Sequence, residues 1–206
     1  MNKIYVIGLG PGHQDYVLPI AKKRAQECNV LVGGKRNLNI FSDFEGEMIP
    51  IHQDLQGIVV EIKKRARTQQ VGIIVSGDPG FYSMLTYLSK HFELEELEVI
   101  PGIGSIQYLF SRLKKPWQNT PFKSLHGRGT DWVGILQKEK SIALLTDPEH
   151  NPQWIAEQCI EYGLSKVKMV VGENLSYSEE RIIQGTPAEI KEHGPYQMSV
   201  VVIENE

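Results

Sequence analysis

Apolar positions in the first half of the chain follow two alternating rhythms. Short, nearly continuous runs such as Tyr5-Val6-Ile7, Val30-Leu31-Val32 and Val71 to Val75 are what strands look like when both of their faces are covered. Between them, Leu55, Ile58, Val59, Ile62 and Ala66 recur at helical spacing. The pattern predicts strands over 3–8, 29–32, 47–51, 71–75 and 98–100, and helices over 17–27, 35–41, 54–67 and 80–91. Ile106, Leu109, Phe110 and Leu113 mark a further helical stripe. Pro19 suits its helix only in the first turn, where no amide donor is needed. Strands and helices in strict alternation imply a parallel sheet with helices on both faces.

Around Lys114-Lys115-Pro116 the pattern changes. Strands are expected near 122–125, 141–146, 167–172, 181–184 and 198–203, and helices near 130–137, 152–162 and 187–192. The Asn174 to Glu180 stretch joins two strands without a long helix, so part of this sheet is antiparallel. The expected fold is therefore two α/β domains, 1–115 with a mainly parallel sheet and 116–206 with a mixed one, and a ligand cleft between them.

Composition changes this picture little. The 206 residues are 41% hydrophobic and 23% charged, ordinary values for a soluble globular protein, and a chain this long buries enough surface to need no staples. The net charge is −3, and no run of five basic residues occurs, so nothing suggests nucleic acid. The densest basic stretch, Lys63-Lys64-Arg65-Ala66-Arg67, falls late in an amphipathic helix and reads as a solvated face. Cys28 and Cys159 lack metal spacing, sit among apolar residues, and read as reduced core thiols of a cytoplasmic protein. No signal peptide and no apolar run long enough for a membrane span is expected.

The chemistry concentrates at strand ends. Three expected strands run into glycine-proline turns: Gly8-Leu9-Gly10-Pro11-Gly12, Ser76-Gly77-Asp78-Pro79-Gly80 and Pro101-Gly102-Ile103-Gly104-Ser105. Parallel strands would bring all three to one edge, where ligands of such sheets bind. The first turn falls short of the dinucleotide fingerprint, because His13 replaces the third glycine and no acidic residue ends the second strand. Pro11 also removes a backbone donor that a phosphate would use. A phosphate-free ligand fits this loop better; a plain tight turn is the alternative.

Together, GLGPG, SGDPGFY and PGIGS resemble the signature of the tetrapyrrole methylases, two-domain enzymes that use S-adenosylmethionine. The pieces SIQYLFSRLKKPW, SLHGRG, LLTDPEHNP and GENLSYSEERI are similar to the branch that methylates C5 of a corrinoid precursor, of cobalt-precorrin-7 or precorrin-6Y type, in cobalamin biosynthesis. The resemblance implies donor contacts from Leu9, Pro11, Gly77, Asp78, Phe81, Ser105 and Ile106, with Thr146, Asp147 and Leu175 closing on the adenine. It implies no metal, a tetrapyrrole (precorrin) substrate, a homodimer, and a separate protein for C15 methylation and decarboxylation. Asp78 has two readings, a counter-charge for the donor or an N-cap for the helix over 80–91. The acceptor carries acetates and propionates, which arginine holds bidentately. Arg128, on a glycine-flanked loop, is the first candidate for that role. His126 is either a hydrogen-bond partner of the macrocycle, a base for the C5 proton, or a packing residue. Arg112 and His13 read as ordinary surface residues, and Tyr16, Trp117, Trp132 and Trp154 as core or interface aromatics. Methylation of another tetrapyrrole, RNA or a protein is a rival reading, and a non-enzymatic nucleotide-binding module is a rival of another class.

Overall fold

The computed structural model of the chain describes residues 2–127 and 130–205. It divides into two compact units, Met1–Gly104 and Ser105–Glu206.

The first unit carries β1 (Ile4–Gly8), β2 (Val30–Gly33), β3 (Glu47–Pro50), β4 (Val71–Val75) and β5 (Leu97–Ile100), in the order β3-β2-β4-β1-β5. Every pairing in this sheet is parallel. Alternate residues face opposite ways. Ile4, Val6, Val30, Val32, Ile73 and Val75 join one core with Val59 and Ile62 of α3 (Leu55–Arg65). Ile7, Leu31 and Ile74 join the other, with Ala21 and Ala25 of α1 (Pro19–Gln26). Two covered faces are the reason β4 is buried along its whole length. Pro19 stands in the first turn of α1, and Asp54 caps α3 through the Gly57 amide at 2.8 Å. The expected short helix over 35–41 is α2 (Lys35–Leu38) followed by a 3-10 turn.

The expected helix over 80–91 is not there as such. Only α4 (Leu85–Leu88) is α-helical. Tyr82 adopts a left-handed φ of 51°, which stops a helix from running through it.

The second unit holds α5 (Ser105–Leu113), β6 (Phe122–Ser124), α6 (Trp132–Glu139), β7 (Ser141–Leu145), α7 (Pro152–Glu161), β8 (Lys168–Glu173), β9 (Arg181–Gly185), α8 (Pro187–Glu192) and β10 (Ser199–Glu204). Its sheet, β6-β7-β10-β8-β9, is mixed: β6 and β7 are parallel, and β10 runs antiparallel to β7 and β8. The 174–180 turn joins β8 to an antiparallel β9. One face packs on Trp132, Leu136, Ile155, Cys159 and Ile190 of the helices. Contacts group α5 with this unit, whereas the sequence pattern places it before the change at 114–118. Leu109 of α5 lies where a side chain at Gly172 of β8 would have to go. Both cysteines are buried, and burial pushes their thiols up to about 12, as inert core groups. No helix among the described residues is long and apolar enough to cross a membrane.

Candidate active site

The three glycine bends of the first unit meet. Because β1, β4 and β5 are parallel neighbours, their C-terminal ends lie side by side. The first and second bends are bonded to each other: Gly10 N–H donates to Gly77 O at 3.2 Å, and Gly77 N–H to Gly10 O at 2.8 Å. The third bend lies on that bridge. A Cβ at Gly102 would fall on the Gly77 carbonyl and come within 2.9 Å of the Gly8 carbonyl carbon. Gly77 itself needs glycine, with φ +65°.

Asp78 fastens the second bend to the third. One carboxylate oxygen accepts from Gly80 N–H at 2.8 Å and the other from Gly102 N–H at 3.1 Å. The first contact closes a local turn and caps no helix, since α4 starts only at Leu85. The capping alternative for Asp78 is therefore corrected to a turn and a cross-loop staple. Each carboxylate oxygen can accept more than one hydrogen bond, so the charge remains usable.

The amides of the first bend are already committed. Leu9 N–H donates to Val75 O at 3.0 Å, Gly10 N–H is in the bridge, and Pro11 has none. Such a loop offers a phosphate few donors and fits a phosphate-free ligand. Leu9 is core, 1% exposed. Pro11 and Phe81 are half-buried, Phe81 standing edge-on to Tyr82. His13 accepts from the Asp15 amide at 3.2 Å and caps a short turn.

One feature of this edge escapes the sequence reading. The short helix α2, one glycine after β2, carries Lys35, Arg36 and Asn37. Arg36 Nη2 donates to Ser76 Oγ at 3.2 Å, and the Ser76 hydroxyl lies 3.1 Å from Asn37 Oδ1, to which it donates. Two basic residues one glycine after a buried strand are the signal that could have found it.

The second unit has an edge of its own. β6, β7 and β8 point the same way, so the turns after them, which carry SLHG, TDPEH and NLSYS, share one edge of its sheet. Asp147 organises part of it. Its carboxylate accepts from the amides of Glu149 (2.9 Å), His150 (2.6 Å) and Gly127 (3.4 Å), and lies 3.1 Å from His150 Nδ1. Burial pushes this carboxyl up, but the bonds from His150 and Gly127 outweigh it and hold the pKa at about 2. Thr146 Oγ1 donates to Ser199 O at 2.6 Å. Leu175 is buried beside Gly172. Ser105 and Ile106 open α5; Ser105 is half-buried and Ile106 fully buried. His126 is exposed, and its amide donates to Ser124 Oγ at 3.3 Å. Arg128 lies outside the described residues.

The charges of the GENLSYSEERI piece hold the β8–β9 connection. Glu173, 3% exposed, accepts from Arg181 Nε at 2.7 Å and Gln197 N–H at 2.6 Å. Glu180 accepts from Ser176 N–H at 2.7 Å and Arg112 Nε at 2.9 Å. Burial raises the Glu180 carboxyl, yet Ser176, Tyr108 and Arg112 together hold it below its ordinary range. Arg112 is thus an ion-pair partner on a half-exposed face. Trp132 and Trp154 pack in the second core, while Tyr16 and Trp117 remain exposed.

Residues 3–191 match the family described as Tetrapyrrole (Corrin/Porphyrin) Methylases. The chain belongs to the tetrapyrrole methylase family. It is 32% identical over 201 residues, 98% of both chains, to the cobalt-precorrin-7 C(5)-methyltransferase of Salmonella typhimurium. Its fold is that of a precorrin-6Y methylase from Archaeoglobus fulgidus, with a TM-score of 0.77, 23% identity, and coverage of 99% and 98%. It is also that of the Thermus thermophilus uroporphyrin-III C-methyl transferase complexed with S-adenyl homocysteine, at TM-score 0.77, 18% identity, and coverage of 98% and 97%. As a tetrapyrrole methylase, the chain has its glycine bends gathered at one edge of the first sheet and its three later motifs at one edge of the second.

Proposed function

We propose that this tetrapyrrole methylase transfers a methyl group from S-adenosylmethionine to C5 of a corrinoid precursor, cobalt-precorrin-7 or the precorrin-6Y type, in cobalamin biosynthesis. The reaction class is supported by the interlocked bends, whose spent amides suit a donor without phosphates. The choice of C5 is supported by the relative that matches 98% of both chains.

The chemistry asks for alignment more than for a reactive side chain. The sulfur–methyl bond breaks as the new carbon–carbon bond forms, the thioether leaves, and the electron-rich ring supplies the electron pair. Holding donor and acceptor in line can supply about 7–11 kcal/mol. Leu9 and Pro11, Gly77, Asp78 and Phe81, and Ser105 and Ile106 are the proposed donor contacts, with Asp78 as counter-charge to the sulfonium or ammonium. Thr146, Asp147 and Leu175 are proposed for the adenine. The bonds within the protein made by Thr146 and Asp147 favour contact through their backbone or through loop shape. His126 and Arg128 are proposed for the macrocycle, His126 as the group that takes the C5 proton. We place the enzyme in the cytoplasm as a homodimer, a state that sedimentation equilibrium reads directly.

Calorimetric titration with S-adenosylmethionine tests the reaction class: micromolar binding is expected, and its absence would leave a module without this activity. Incubation of labelled donor with cobalt-precorrin-7 and NMR mapping of the new methyl tests the position. A methyl on any carbon but C5 would move the chain to another branch of the family.

A further inference from the structure

We propose that Gln107 is a further binding residue for the methyl donor, its side-chain carbonyl accepting a hydrogen bond from an N–H or O–H group of S-adenosylmethionine. This rests on the reading of the chain as a methyltransferase that uses that donor.

Hydrogen-bond satisfaction carries the first step. A buried acceptor left without a donor costs stability, so a native chain keeps one only where something else is gained. Among the described residues, two buried side-chain atoms lack a hydrogen-bond partner, Arg24 Nε and Gln107 Oε1. The first belongs to a guanidinium whose other nitrogens hold Glu27 and Glu98, and that ion-pair cluster accounts for its position. The second belongs to a neutral amide with no such cluster. The nearby hydroxyl of Ser111 is already used: it donates to the main-chain carbonyl of Gln107 at 3.0 Å.

Placement carries the second step. Gly104 ends the third glycine bend, and a Cβ at Gly77 of the second bend would come 3.7 Å from its Cα. α5 begins at the next residue, Ser105. Gln107 stands in its first turn, a rise of about 3 Å beyond Ser105. Ser105 and Ile106, which precede it, are the proposed donor contacts of this segment. The buried stripe of α5 is Ile106, Leu109 and Phe110. Packing alone would be served at 107 by an apolar side chain, which orphans no polar atom.

Chemistry carries the third step. The orphan is an oxygen, which accepts and has no proton to give. Its complement is a polar hydrogen. The acceptor's peripheral carboxylates have none, and in a cobalt-loaded ring the nitrogens are taken by the metal. S-adenosylmethionine carries an ammonium, an adenine amino group and two ribose hydroxyls.

The test compares the full chain with Gln107→Met, Gln107→Leu and Ser111→Ala. Stability is read by urea unfolding, donor affinity by calorimetry with S-adenosylmethionine, and acceptor KM by initial rates with cobalt-precorrin-7 at saturating donor. Gln107→Met keeps the length of the side chain and removes the acceptor. It should unfold at the same urea concentration or a higher one, because an unmet acceptor has been removed. It should bind the donor about 3- to 10-fold more weakly, the weight of one hydrogen bond, and leave acceptor KM within about 2-fold. Gln107→Leu should agree in both directions. Ser111→Ala should leave donor affinity within about 2-fold. Stability kept while affinity falls is the mark of a ligand contact; an amide with a partner inside the protein would lose both. A lower urea midpoint in Gln107→Met and Gln107→Leu overturns the proposal, and so does an unchanged donor affinity. A rise in acceptor KM with donor affinity intact also overturns it and gives the amide to the tetrapyrrole. So does an equal loss in Ser111→Ala, which would trace the effect to the helix. If the unaltered chain binds donor yet leaves cobalt-precorrin-7 unmethylated, the C5 reading fails by itself, and the stability and donor measurements still decide Gln107.

Discussion

The ligand edges of the two units are built by different means. In the first unit the contacts are mainly backbone on backbone: Gly10 bonds Gly77, and Gly102 lies against both Gly77 and Gly8, with the Asp78 carboxylate added between the second and third bends. In the second the contacts are made by carboxylates: Asp147 gathers three amides and a histidine ring, and Glu180 holds Ser176 and Arg112. A backbone-built contact has no room for an added atom and carries no titrating group. A carboxylate-built edge tolerates changes of size and depends on charge.

The largest expected break in this comparison is Gly102→Ala. Its methyl has nowhere to go against fixed backbone, so about 3 kcal/mol of stability should be lost in urea unfolding, together with donor binding. A loss under about 1 kcal/mol would mean that the bends are looser than drawn.

Next comes Asp147. Its folded pKa, about 2, lies below the ordinary 3.8, so the group contributes stability that is present above about pH 4 and lost as pH falls through about 2. Asp147→Asn should cost about 2 kcal/mol at pH 7 and under about 0.5 kcal/mol at pH 2, read by unfolding at both values. A cost independent of pH would show that the charge is not what holds the Gly127 and His150 amides.

Asp78→Ala should lose about 1 kcal/mol for the missing staple, and about tenfold in donor affinity by calorimetry. Asp78→Asn keeps an acceptor oxygen and drops the charge. A normal donor affinity in Asp78→Asn would reduce the side chain to a loop fastener. The smallest effect is that of Arg112→Gln. Its pair with Glu180 is half-exposed, so no more than about 0.5 kcal/mol should be lost, and less in high salt.

The strand ends and the fold class could be read in the linear pattern, because burial on both faces of a parallel sheet leaves unbroken apolar runs such as VGIIV. So could the gathering of the glycine bends, which follows once three strands are parallel. The helix over 80–91 could not, because periodicity does not report the left-handed φ of Tyr82. Glu173, Glu180 and Asp147 stand in diagnostic motifs, yet their charges are used inside the protein. Sequence reveals such a residue's presence and says nothing of its partners.

By itself the sequence determined the alternation of elements, the two α/β units, the phosphate-poor character of the Pro11 bend and the family. Each of these follows from local rules: period, backbone donors and turn chemistry. Only the tertiary structure decided that Gly10 pairs with Gly77, that Asp78 reaches Gly102, and that Arg36 reaches Ser76 across 40 positions of chain. Those contacts depend on which strands are neighbours, and strand order is set by the packing of the whole sheet.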